Sequence, residues 1–486
     1  MRLEEVLTGG PADARDLEVT ELAYDNRAVV PGTLFFCVPG FTRDGHEFAA
    51  DAVSRGAVAL VVQRPLGLEV PQIHVPDVRR AMAPAAARFY GDPTAELEVA
   101  GVTGTNGKTT TAYLMRALLE AGGTRTGLLG TVTSVVGGVE HPVRRTTPEA
   151  IDLQRTFRQM LDAGDRACSM EVSSHALELH RSDAIQFAVA IFTNLTQDHL
   201  DFHPTMEDYF SAKRRLFTES GPKHAVINTD DGYGARLAAE LGSAATFALD
   251  RDATYRAIEI HTGLDGSRFT VVGPHGTTEL TSPLRGRFNV YNVLGAYAAA
   301  LGLGVPEETA VEALASADRV PGRFEPVDEG QDFLVLVDYA HTPDSLENVL
   351  RAARDLTHAR LHVVFGAGGD RDRGKRPVMG EIAGRLADRV IVTSDNPRSE
   401  DPEAIIDEIL AGAGPEVEHH VDRREAIERA IAGASRGDVV VIAGKGHEQG
   451  QEFEGGRKLP FDDATVARGV LRGAAPLAAP GRPLSR

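Results

Sequence analysis

Short apolar runs alternate with amphipathic stretches along almost the whole chain, and turn-forming residues separate them. Buried strands of parallel sheets read as continuous apolar runs, whereas the helices that cover them carry one apolar face. The pattern therefore predicts an α/β protein with largely parallel sheets. In the first half of the chain, strands are predicted over residues 32–38, 56–62, 97–103, 167–172, 187–193 and 224–228.

The last third of the chain shows the clearest alternation. Its predicted strands cover residues 333–337, 361–365, 390–393 and 438–443, and its predicted helices begin at Pro343, Pro377, Pro402 and Asp422. Turn-forming residues near positions 91–94 and 320–324 separate the predicted domains, which are 1–96, 97–324 and 325–473. The remaining segment, 474–486, is rich in Ala, Pro and Gly, and we expect it to be disordered.

Length and charge exclude several classes of function. The chain has 486 residues, more than one ordinary domain, and its 51 Lys and Arg against 70 Asp and Glu give a formal charge of −19. Nucleic acid is not an expected partner, because its phosphates attract basic surfaces. No apolar run reaches the roughly 18 residues of a membrane span, so we expect no span. We also expect a cytoplasmic location and a monomer.

A glycine loop lies between a predicted strand and a predicted helix. Residues Gly104-Thr-Asn-Gly-Lys-Thr-Thr110 follow the strand 97–103 and precede an amphipathic stretch. Glycines let backbone N–H groups approach phosphate oxygens, Lys108 can reach the β- and γ-phosphates, and the Thr109 hydroxyl can bind Mg²⁺. The glycine usually found five residues before the GK pair is Val102 here. This variant loop predicts ATP binding and leaves open what the ATP is used for.

Three further side chains lie near predicted strand ends or in the helix-like stretch that follows. Glu171 closes an apolar run, so it is either a solvated charge at a sheet edge or, as we favour, a Mg²⁺ ligand. His199 lies in a segment with a second histidine and two aspartates, a density of polar groups that is typical of a binding site. Lys213, considered alone, is typical of a solvated lysine on a short helix.

Eleven motifs in one order make the chain similar to the Mur ligase family, whose ATP-dependent ligases build the peptidoglycan stem peptide. Besides the glycine loop they are RTTP (145–148), MEVSSH (170–175), NLTQDHLDFH (194–203), AKRRLF (212–217), RFNVYN (287–292), PGRF (321–324), VDYAHTP (337–343), GAGGDRDRGKRP (366–377), DNPR (395–398) and GKGHE (444–448). The set resembles the family's type that adds the third residue of the stem peptide. The resemblance implies an α/β chain of three domains: an N-terminal UDP-sugar domain, a central P-loop ATPase-like domain with a parallel or mixed sheet, and a C-terminal Rossmann-like domain for the amino acid.

The resemblance also implies which residues bind ATP and metal. ATP would contact Gly104, Thr105, Asn106, Gly107, Lys108, Thr109, Thr110, Asn292, Arg323 and Asp338. Mg²⁺ would be held by Thr109, Glu171, His199 and Lys213, the last as N6-carboxylysine, a carbamate formed with CO₂. Such a carbamate turns a cation into an oxygen ligand, which explains a lysine beside Mg²⁺. Lys108, Glu171, His199 and Lys213 are the catalytic residues implied.

The two other substrates follow from the same resemblance. UDP-N-acetylmuramoyl-L-alanyl-D-glutamate would contact Asn26, Thr146, Thr147, Ser173 and Arg181, and diaminopimelate would contact Arg371, Asp395, Asn396, Pro397, Arg398, Gly444 and Glu448. The distal end of diaminopimelate carries a carboxylate that lysine lacks, and an arginine fork binds a carboxylate in bidentate geometry. A site of this kind rejects an analogue without the group by roughly 10⁴-fold, so we predict diaminopimelate over lysine.

The predicted reaction is ATP-dependent amide formation through an acyl phosphate, with meso-diaminopimelate as the added residue. The LL isomer and L-lysine stay open as alternatives, because one arginine does not fix the handedness of the distal centre. Another Mur step or a folylpolyglutamate synthase should lack DNPR together with GKGHE. A P-loop switch or motor ATPase would share only the loop and would hydrolyse ATP without an acceptor. A non-catalytic UDP-sugar binding protein would not need every phosphate and metal position filled.

Overall fold

The computed structural model describes residues 1–41, 43–414 and 417–473, so the tail predicted to be disordered lies outside the described residues. The described chain contains a four-stranded, an eleven-stranded and a six-stranded sheet and a small hairpin. Each large sheet falls within one of the three segments proposed from the sequence. The prediction of an α/β chain is confirmed.

The N-terminal sheet is parallel throughout, in the order β1-β2-β3-β4. Its strands are β1 (Glu21–Ala23), β2 (Thr33–Phe36), β3 (Ala57–Val62) and β4 (Gln72–His74), and its helices are α1 (Leu3–Val6), α2 (Ala49–Ser54) and α3 (Val78–Phe89). Successive side chains of a strand point to opposite faces. Leu34 and Phe36 therefore pack in the cluster that contains α3, whereas Phe35 packs in the cluster that contains α2.

The central sheet has the order β15-β14-β13-β12-β11-β10-β5-β9-β6-β7-β8. Its strands are β5 (Glu98–Thr103), β6 (Thr126–Leu129), β7 (Ser134–Val136), β8 (Val139–His141), β9 (Ala167–Glu171), β10 (Phe187–Phe192), β11 (His224–Asn228), β12 (Ala245–Ala248), β13 (Tyr255–Gly263), β14 (Gly266–Gly273) and β15 (Gly276–Ser282). The seven neighbouring strands β13-β12-β11-β10-β5-β9-β6 are parallel, as predicted. The two ends of the sheet are antiparallel, so the sheet is mixed, but the end strands β7, β8, β14 and β15 were not predicted individually. Strands β13 to β15 bury only one face, so they lack the continuous apolar run on which the prediction relied.

Seven helices accompany the described part of this sheet. They are α4 (Lys108–Ala121), α5 (Ala150–Asp162), α6 (Ser174–Glu178), α7 (Met206–Thr218), α8 (Gly232–Leu241), α9 (Arg287–Gly302) and α10 (Glu307–Ala315). Helix α9 is apolar on nearly all sides and packs with α4 in the central core. This packing fixes the start of α4, where the glycine loop ends.

The C-terminal sheet has the order β16-β17-β21-β18-β19-β20, and β22 and β23 form a separate hairpin. The strands are β16 (Glu325–Val327), β17 (Leu334–Asp338), β18 (Leu361–Phe365), β19 (Arg389–Thr393), β20 (Glu418–His420), β21 (Val439–Ala443), β22 (Gln451–Phe453) and β23 (Arg457–Leu459), and the helices are α11 (Pro343–Arg354), α12 (Lys375–Leu386), α13 (Pro402–Ala413), α14 (Arg423–Ala432) and α15 (Asp463–Leu471). All pairs are parallel except β16 with β17 and β22 with β23.

The predicted helix starts in this domain rest on local signals. Pro343 and Pro402 are the first helical residues, as predicted, because proline suits a position whose N–H has no helical partner. Asp422 caps α14 through a hydrogen bond from the Glu425 N–H, so the helix begins one residue later than predicted. The helix predicted from Pro377 begins at Lys375, since proline is tolerated throughout the first turn.

Two further observations complete the described fold. Cys37 and Cys168 are buried free thiols. Within the described ranges, no helix is long and apolar enough to cross a membrane.

Candidate active site

The candidate site lies at the carboxyl ends of three adjacent central strands. In the order β10-β5-β9, strand β5 runs into the glycine loop, β9 ends at Glu171 and β10 leads to the segment with His199. The carboxyl edge of a parallel sheet is where ligands bind in open α/β folds. One cavity of about 520 Å³ at this edge contains every predicted ATP and metal residue except Gly104: Thr105, Asn106, Gly107, Lys108, Thr109, Thr110, Glu171, His199, Lys213, Asn292, Arg323 and Asp338.

The glycine loop is held tightly from behind. Gly107 has a φ of 85°, and an added Cβ would collide with the Asn292 side chain, so only glycine fits there. The Asn106 N–H donates to Asn194 Oδ1 at 2.9 Å, and the Thr193 hydroxyl donates to the Asn106 carbonyl at 2.6 Å. These contacts fix the loop between β5 and α4 and leave its outer side to the cavity.

Two buried lysines share one carbonyl of this loop. Lys108 Nζ donates to the carbonyls of Gly104 (3.0 Å) and Thr105 (2.7 Å), and Lys213 Nζ donates to that of Gly104 (2.7 Å). Burial lowers the pKa of both amines, and the pKa of Lys213 falls well below its ordinary value, with the Lys108 charge as a further cause. Among the residues described, neither lysine forms an ion pair. The site therefore has room for added negative charge.

Glu171 is held at the end of β9 with its carboxylate toward the loop. Thr131 donates to it twice, from its N–H to Oε1 at 2.7 Å and from its hydroxyl to Oε2 at 3.1 Å. The side chain is buried, and Gly130 leaves it space, because a Cβ there would lie 2.7 Å from Oε1. The structure thus supports the buried reading of Glu171 over a solvated edge charge.

His199 adopts a left-handed backbone, with φ 56°, and lies 4.8 Å from the His175 ring, centroid to centroid. Burial lowers the pKa of His199 to about 3, so the imidazole is neutral and its nitrogens can act as ligands. Its Nε2 lies 3.3 Å from the carboxylate of Asp198. No pattern in the sequence singles out Asp198, although it stands beside His199 in the same motif.

Asp198 connects the central and C-terminal domains. Its carboxylate faces His341 Nε2 at 3.9 Å and Lys375 Nζ at 3.8 Å, and it is buried. Burial alone would raise the pKa of Asp198, but His199, Lys375 and His341 hold it well below its ordinary value. His341 and Lys375 lie within two of the eleven motifs, but no pattern in the sequence pairs them with Asp198.

The C-terminal domain also contacts the glycine loop itself. Arg323 Nη2 donates to the Thr109 hydroxyl at 3.0 Å, and Asp344 accepts a hydrogen bond of 2.6 Å from the Asn106 amide. Asp338, at the end of β17, accepts backbone N–H groups of Phe324 (2.6 Å) and Ala340 (2.7 Å). Burial raises the pKa of Asp338 to about 6. The two domains therefore enclose the predicted ATP site together.

The four predicted metal residues offer a mixed donor set. Thr109, Glu171, His199 and Lys213 line the same cavity, but within the described ranges no three His, Cys, Asp or Glu side chains group as a metal site. The buried amine of Lys213 becomes an oxygen donor only as a carbamate. Its strongly lowered pKa favours the neutral amine, which is the form that reacts with CO₂. The residues present therefore fit Mg²⁺ with a modified Lys213.

Most residues predicted for the UDP-linked substrate form a second group beside Glu171. The Thr147 hydroxyl donates to the Glu171 carbonyl (2.9 Å) and Arg181 Nη1 donates to the Thr147 carbonyl (3.2 Å). Thr147 and Ser173 hydroxyls are 3.3 Å apart, and Thr146 contacts Thr131 at 3.0 Å. Asn26 lies apart from them in the N-terminal domain, where its amide donates to Asp51 at 2.7 Å.

Asn26 nevertheless lies next to a cavity that extends from the N-terminal domain to the central domain. Its neighbours Asp25 and Arg27 line a cavity of about 460 Å³ that also contains Thr146. Glu149 in this cavity forms ion pairs that the sequence does not predict, with Arg79, Arg145 and Arg181.

The predicted amino acid residues gather at the carboxyl edge of the C-terminal sheet. Arg371, Asn396, Arg398 and Glu448 line a cavity of about 1980 Å³, which shares Thr131, Thr146 and Tyr339 with the ATP cavity. Asp395, Pro397 and Gly444 lie behind this wall. Gly444 has a φ of 115° and a Cβ there would lie 2.5 Å from Asp395 Oδ2. The structure thus brings this group together.

A buried lysine that sequence analysis did not assign holds the wall in place. Lys445 Nζ donates to Asn396 Oδ1 and Glu448 Oε2, both at 2.9 Å. Asn396 Nδ2 also donates to Glu448 Oε2 at 2.9 Å. Lys445 lies in the GKGHE motif, in which Gly444 and Glu448 are the residues predicted to contact diaminopimelate. Because Lys445 is buried and its charge is balanced by Glu448, we interpret it as a structural support for the predicted ligand residues.

Comparison with known proteins agrees with this geometry. The chain matches the Mur ligase family, catalytic domain, over residues 18–90; the Mur ligase middle domain over 102–300; and the Mur ligase, glutamate ligase domain, over 322–446. The chain belongs to the Mur ligase family, and it is an ATP-dependent ligase that forms amide bonds.

Among similar curated proteins are two UDP-N-acetylmuramoyl-L-alanyl-D-glutamate--2,6-diaminopimelate ligases. That of Geobacillus kaustophilus (strain HTA426) is 49% identical over 469 residues, covering 94% of this chain and 95% of the relative. That of Bacillus velezensis is 47% identical over 466 residues, covering 94% of each. A solved structure with the same name has a TM-score of 0.70 at 34% identity, covering 97% of this chain and 99% of its own. MurF from Acinetobacter baumannii, at 21% identity and a TM-score of 0.69 over 91% of this chain and 94% of its own, shares the fold.

Proposed function

We propose that this ligase adds meso-diaminopimelate to UDP-N-acetylmuramoyl-L-alanyl-D-glutamate, with cleavage of ATP, and so serves peptidoglycan synthesis. The names of the relatives at 49% and 47% identity support this substrate pair. The observation that carries the proposal is Arg398, whose guanidinium lines a cavity next to the ATP cavity, beside Asn396 and Glu448. A planar guanidinium suits a distal carboxylate, which lysine does not have.

The glycine loop and Lys108 would hold the phosphates of ATP. A carboxylate oxygen of the D-glutamate residue attacks the γ-phosphorus, the bond to the β,γ-bridging oxygen breaks, and ADP leaves. Lys108 lies at the loop carbonyls and supplies positive charge where the transferred group becomes more negative. Arg323 donates to the Thr109 hydroxyl beside it and adds a second cation from the C-terminal domain.

The acyl phosphate then reacts in the adjoining cavity. The α-amine of diaminopimelate attacks the acyl carbon, the carbon–oxygen bond to phosphate breaks, and the amine loses a proton as the amide forms. Thr131, Thr146 and Tyr339 line both cavities, so they border the place where the two substrates meet. Enclosure by two domains brings the reacting groups together and excludes water, which would hydrolyse the acyl phosphate.

Metal and carbamate complete the proposal for the ATP site. Thr109 and Glu171 would hold one Mg²⁺, and His199 with a carbamate on Lys213 would hold a second. Bound Mg²⁺ supplies positive charge that offsets the charge of the phosphate oxygens. The buried Lys213 amine attacks the carbon of CO₂, forms the nitrogen–carbon bond and loses a proton. Asp198 contacts His199 Nε2 at 3.3 Å and the His175 ring packs edge-to-face against it, so these two neighbours would orient His199.

The UDP-linked substrate would extend from the N-terminal domain to the glycine loop. Thr146, Thr147, Ser173 and Arg181 are grouped beside Glu171, and this grouping supports a role for them at the end of the substrate that reacts. Asn26 would act in the N-terminal domain, near the cavity that leads to Thr146. Arg181 is mostly buried against Glu149, so it has a fixed orientation toward an anionic group.

An amino acid competition tests this function directly. The enzyme receives ATP, Mg²⁺, UDP-N-acetylmuramoyl-L-alanyl-D-glutamate and equal amounts of meso-diaminopimelate, LL-diaminopimelate and L-lysine, and isomer-resolved chromatography with mass detection identifies the products. We expect the meso product to dominate and the lysine product to be lower by roughly 10³-fold or more. Preferential use of lysine would refute the assignment of Arg398, and preferential use of the LL isomer would refute only the stereochemistry.

A further inference from the structure

The β22–β23 hairpin places one acid, Glu452, directly against Arg398. Glu452 Oε2 accepts a hydrogen bond from Arg398 Nε at 3.0 Å, and the Arg398 N–H donates to the Glu452 carbonyl at 3.1 Å. Arg398 has a left-handed backbone, with φ 52°, and its Nη1 donates to the Gly369 carbonyl at 2.6 Å. The guanidinium is therefore fixed in orientation on two sides.

The hairpin is attached to the same loop through a second residue. The Glu452 N–H donates to Asn396 Oδ1 at 3.0 Å, and Gln451 donates to the Asp395 carbonyl at 2.9 Å. The position of the Glu452 carboxylate is thus set by the loop that carries Asn396 and Arg398.

Arg398 and Glu452 each keep unused hydrogen-bonding capacity. Within the described chain, Arg398 Nη2 and Glu452 Oε1 make no hydrogen bond, and both side chains line the large cavity. The Glu452 side chain is 43% exposed, against 21% for Arg398. Glu448, the other acid nearby, lines the same cavity and pairs with the buried Lys445 at 2.9 Å, as Glu452 pairs with Arg398 at 3.0 Å.

The cavity wall therefore presents a cation and an anion side by side. The distal carbon of diaminopimelate carries a carboxylate and an ammonium on one atom, so its charges are also adjacent. Laid against the wall, the carboxylate meets Arg398 and the ammonium meets Glu452. Each of the two contacts joins opposite charges, and each substrate group uses a protein atom that is otherwise free.

We infer that Glu452 binds the distal ammonium of the incoming amino acid while Arg398 binds the distal carboxylate. This inference rests on the proposed function. It adds a residue that selects for the amine, where Arg398 alone would select only for the carboxylate. Lysine would then supply an ammonium to Glu452 but no carboxylate to Arg398, whereas 2-aminopimelate, which lacks the distal amine, would supply a carboxylate to Arg398 but no ammonium to Glu452.

Steady-state kinetics of Glu452→Gln with three amino acids test the inference. The full-length enzyme is assayed with diaminopimelate, 2-aminopimelate and lysine, with Glu454→Gln as the control, because Glu454 is exposed on the same hairpin and does not line the cavity. We expect kcat/KM for diaminopimelate to fall roughly tenfold to a hundredfold, mainly through KM, since a charged hydrogen bond is lost. The value for 2-aminopimelate, and the KM values for ATP and the UDP-linked substrate, should stay within about twofold.

The outcomes separate this inference from its rivals. An equal loss with diaminopimelate and 2-aminopimelate would mean that Glu452 only positions Arg398, and would overturn the inference. An unchanged preference in Glu452→Gln, matching Glu454→Gln, would overturn it as well. A wild-type enzyme that does not ligate diaminopimelate would instead refute the proposed function, so the two failures are distinguishable.

Discussion

The ATP site and the amino acid site treat buried positive charge in opposite ways. In the ATP site, Lys108 and Lys213 are buried against loop carbonyls and, within the described ranges, form no ion pair. In the amino acid domain, Lys445 pairs with Glu448 at 2.9 Å, and the fully buried Arg423 pairs with Asp463 at 2.7 Å. The first arrangement is incomplete without a ligand, and the second is complete within the protein.

This difference separates residues that act on substrates from residues that build the site. An unpaired buried cation destabilises the fold, and the same desolvation lowers its pKa. Binding of an anion beside the cation offsets this cost. A buried pair costs much less, but removal of one partner strands the other. Substitutions in the two sites should therefore have opposite effects on activity and stability.

The largest expected effect is on activity, at Lys213. Lys213→Met should lower kcat by roughly 10³-fold or more, because the carbamate ligand is lost from the site of charge development. Its melting temperature should stay level or rise, since a desolvated amine is replaced by an apolar chain of similar length. Phosphate-release kinetics and thermal unfolding measure both, with the exposed Lys223→Met as control. Strong destabilisation would show that Lys213 is structural.

The next effect is on stability, at Arg423. Arg423 Nε and Nη2 donate to the two Asp463 oxygens at 2.8 and 2.7 Å, and neither side chain is exposed. Arg423→Met should therefore lower the free energy of unfolding by about 3–5 kcal/mol, as measured by urea denaturation. The surface pair of Arg214 and Glu240 supplies the control, Arg214→Met, which should have little effect.

A double variant checks the reason for that loss. Arg423→Met with Asp463→Leu removes both charges, and it should recover most of the stability that the single variant loses. A double variant as unstable as the single one would mean that packing, not the stranded Asp463 charge, causes the loss.

The smallest effect is a pH dependence from Asp338. Burial raises the pKa of Asp338 from 3.8 to about 6, so the folded protein favours the protonated carboxyl, and stability falls as pH rises toward 6. Between pH 5 and 7 this amounts to about 1 kcal/mol, because the unfolded carboxyl is already ionised there. Asp338→Asn cannot ionise and should lack this decrease in urea denaturation. Parallel pH profiles of the two proteins would contradict the raised pKa.

Local patterns explain what could be predicted from the sequence. Apolar runs predicted the buried strands near the middle of each sheet, first-turn prolines predicted helix starts in the C-terminal domain, and the loop around Lys108 carries its own signature. Glu171 could be placed because strand ends of a parallel sheet share one edge. Family resemblance supplied the roles of Lys213 and Arg398, which composition and spacing alone did not give. The domain boundaries and the site assignments remain predictions.

Pairings between distant segments could not be predicted in this way. Asp198 faces Lys375, and Glu452 faces Arg398, only because separate loops meet at sheet edges. The sequence alone does not show which charged residues of different loops lie opposite each other. The antiparallel strands β13 to β15 were missed for a different reason, because half of their residues are solvated and the apolar run disappears.

We expect the buried lysines of the ATP site, which form no ion pair within the described ranges, to act on substrate phosphates. The most direct test is whether ATP cleavage is coupled to ligation. Phosphate release is followed with ATP and Mg²⁺ alone, with each acceptor omitted in turn, and with UDP-N-acetylmuramoyl-L-alanyl-D-glutamate and diaminopimelate together. We expect phosphate to match amide product when all are present, and to fall by roughly 10²-fold when either is omitted. Equal phosphate release without the acceptors would contradict this reading and indicate an ATPase that does not ligate.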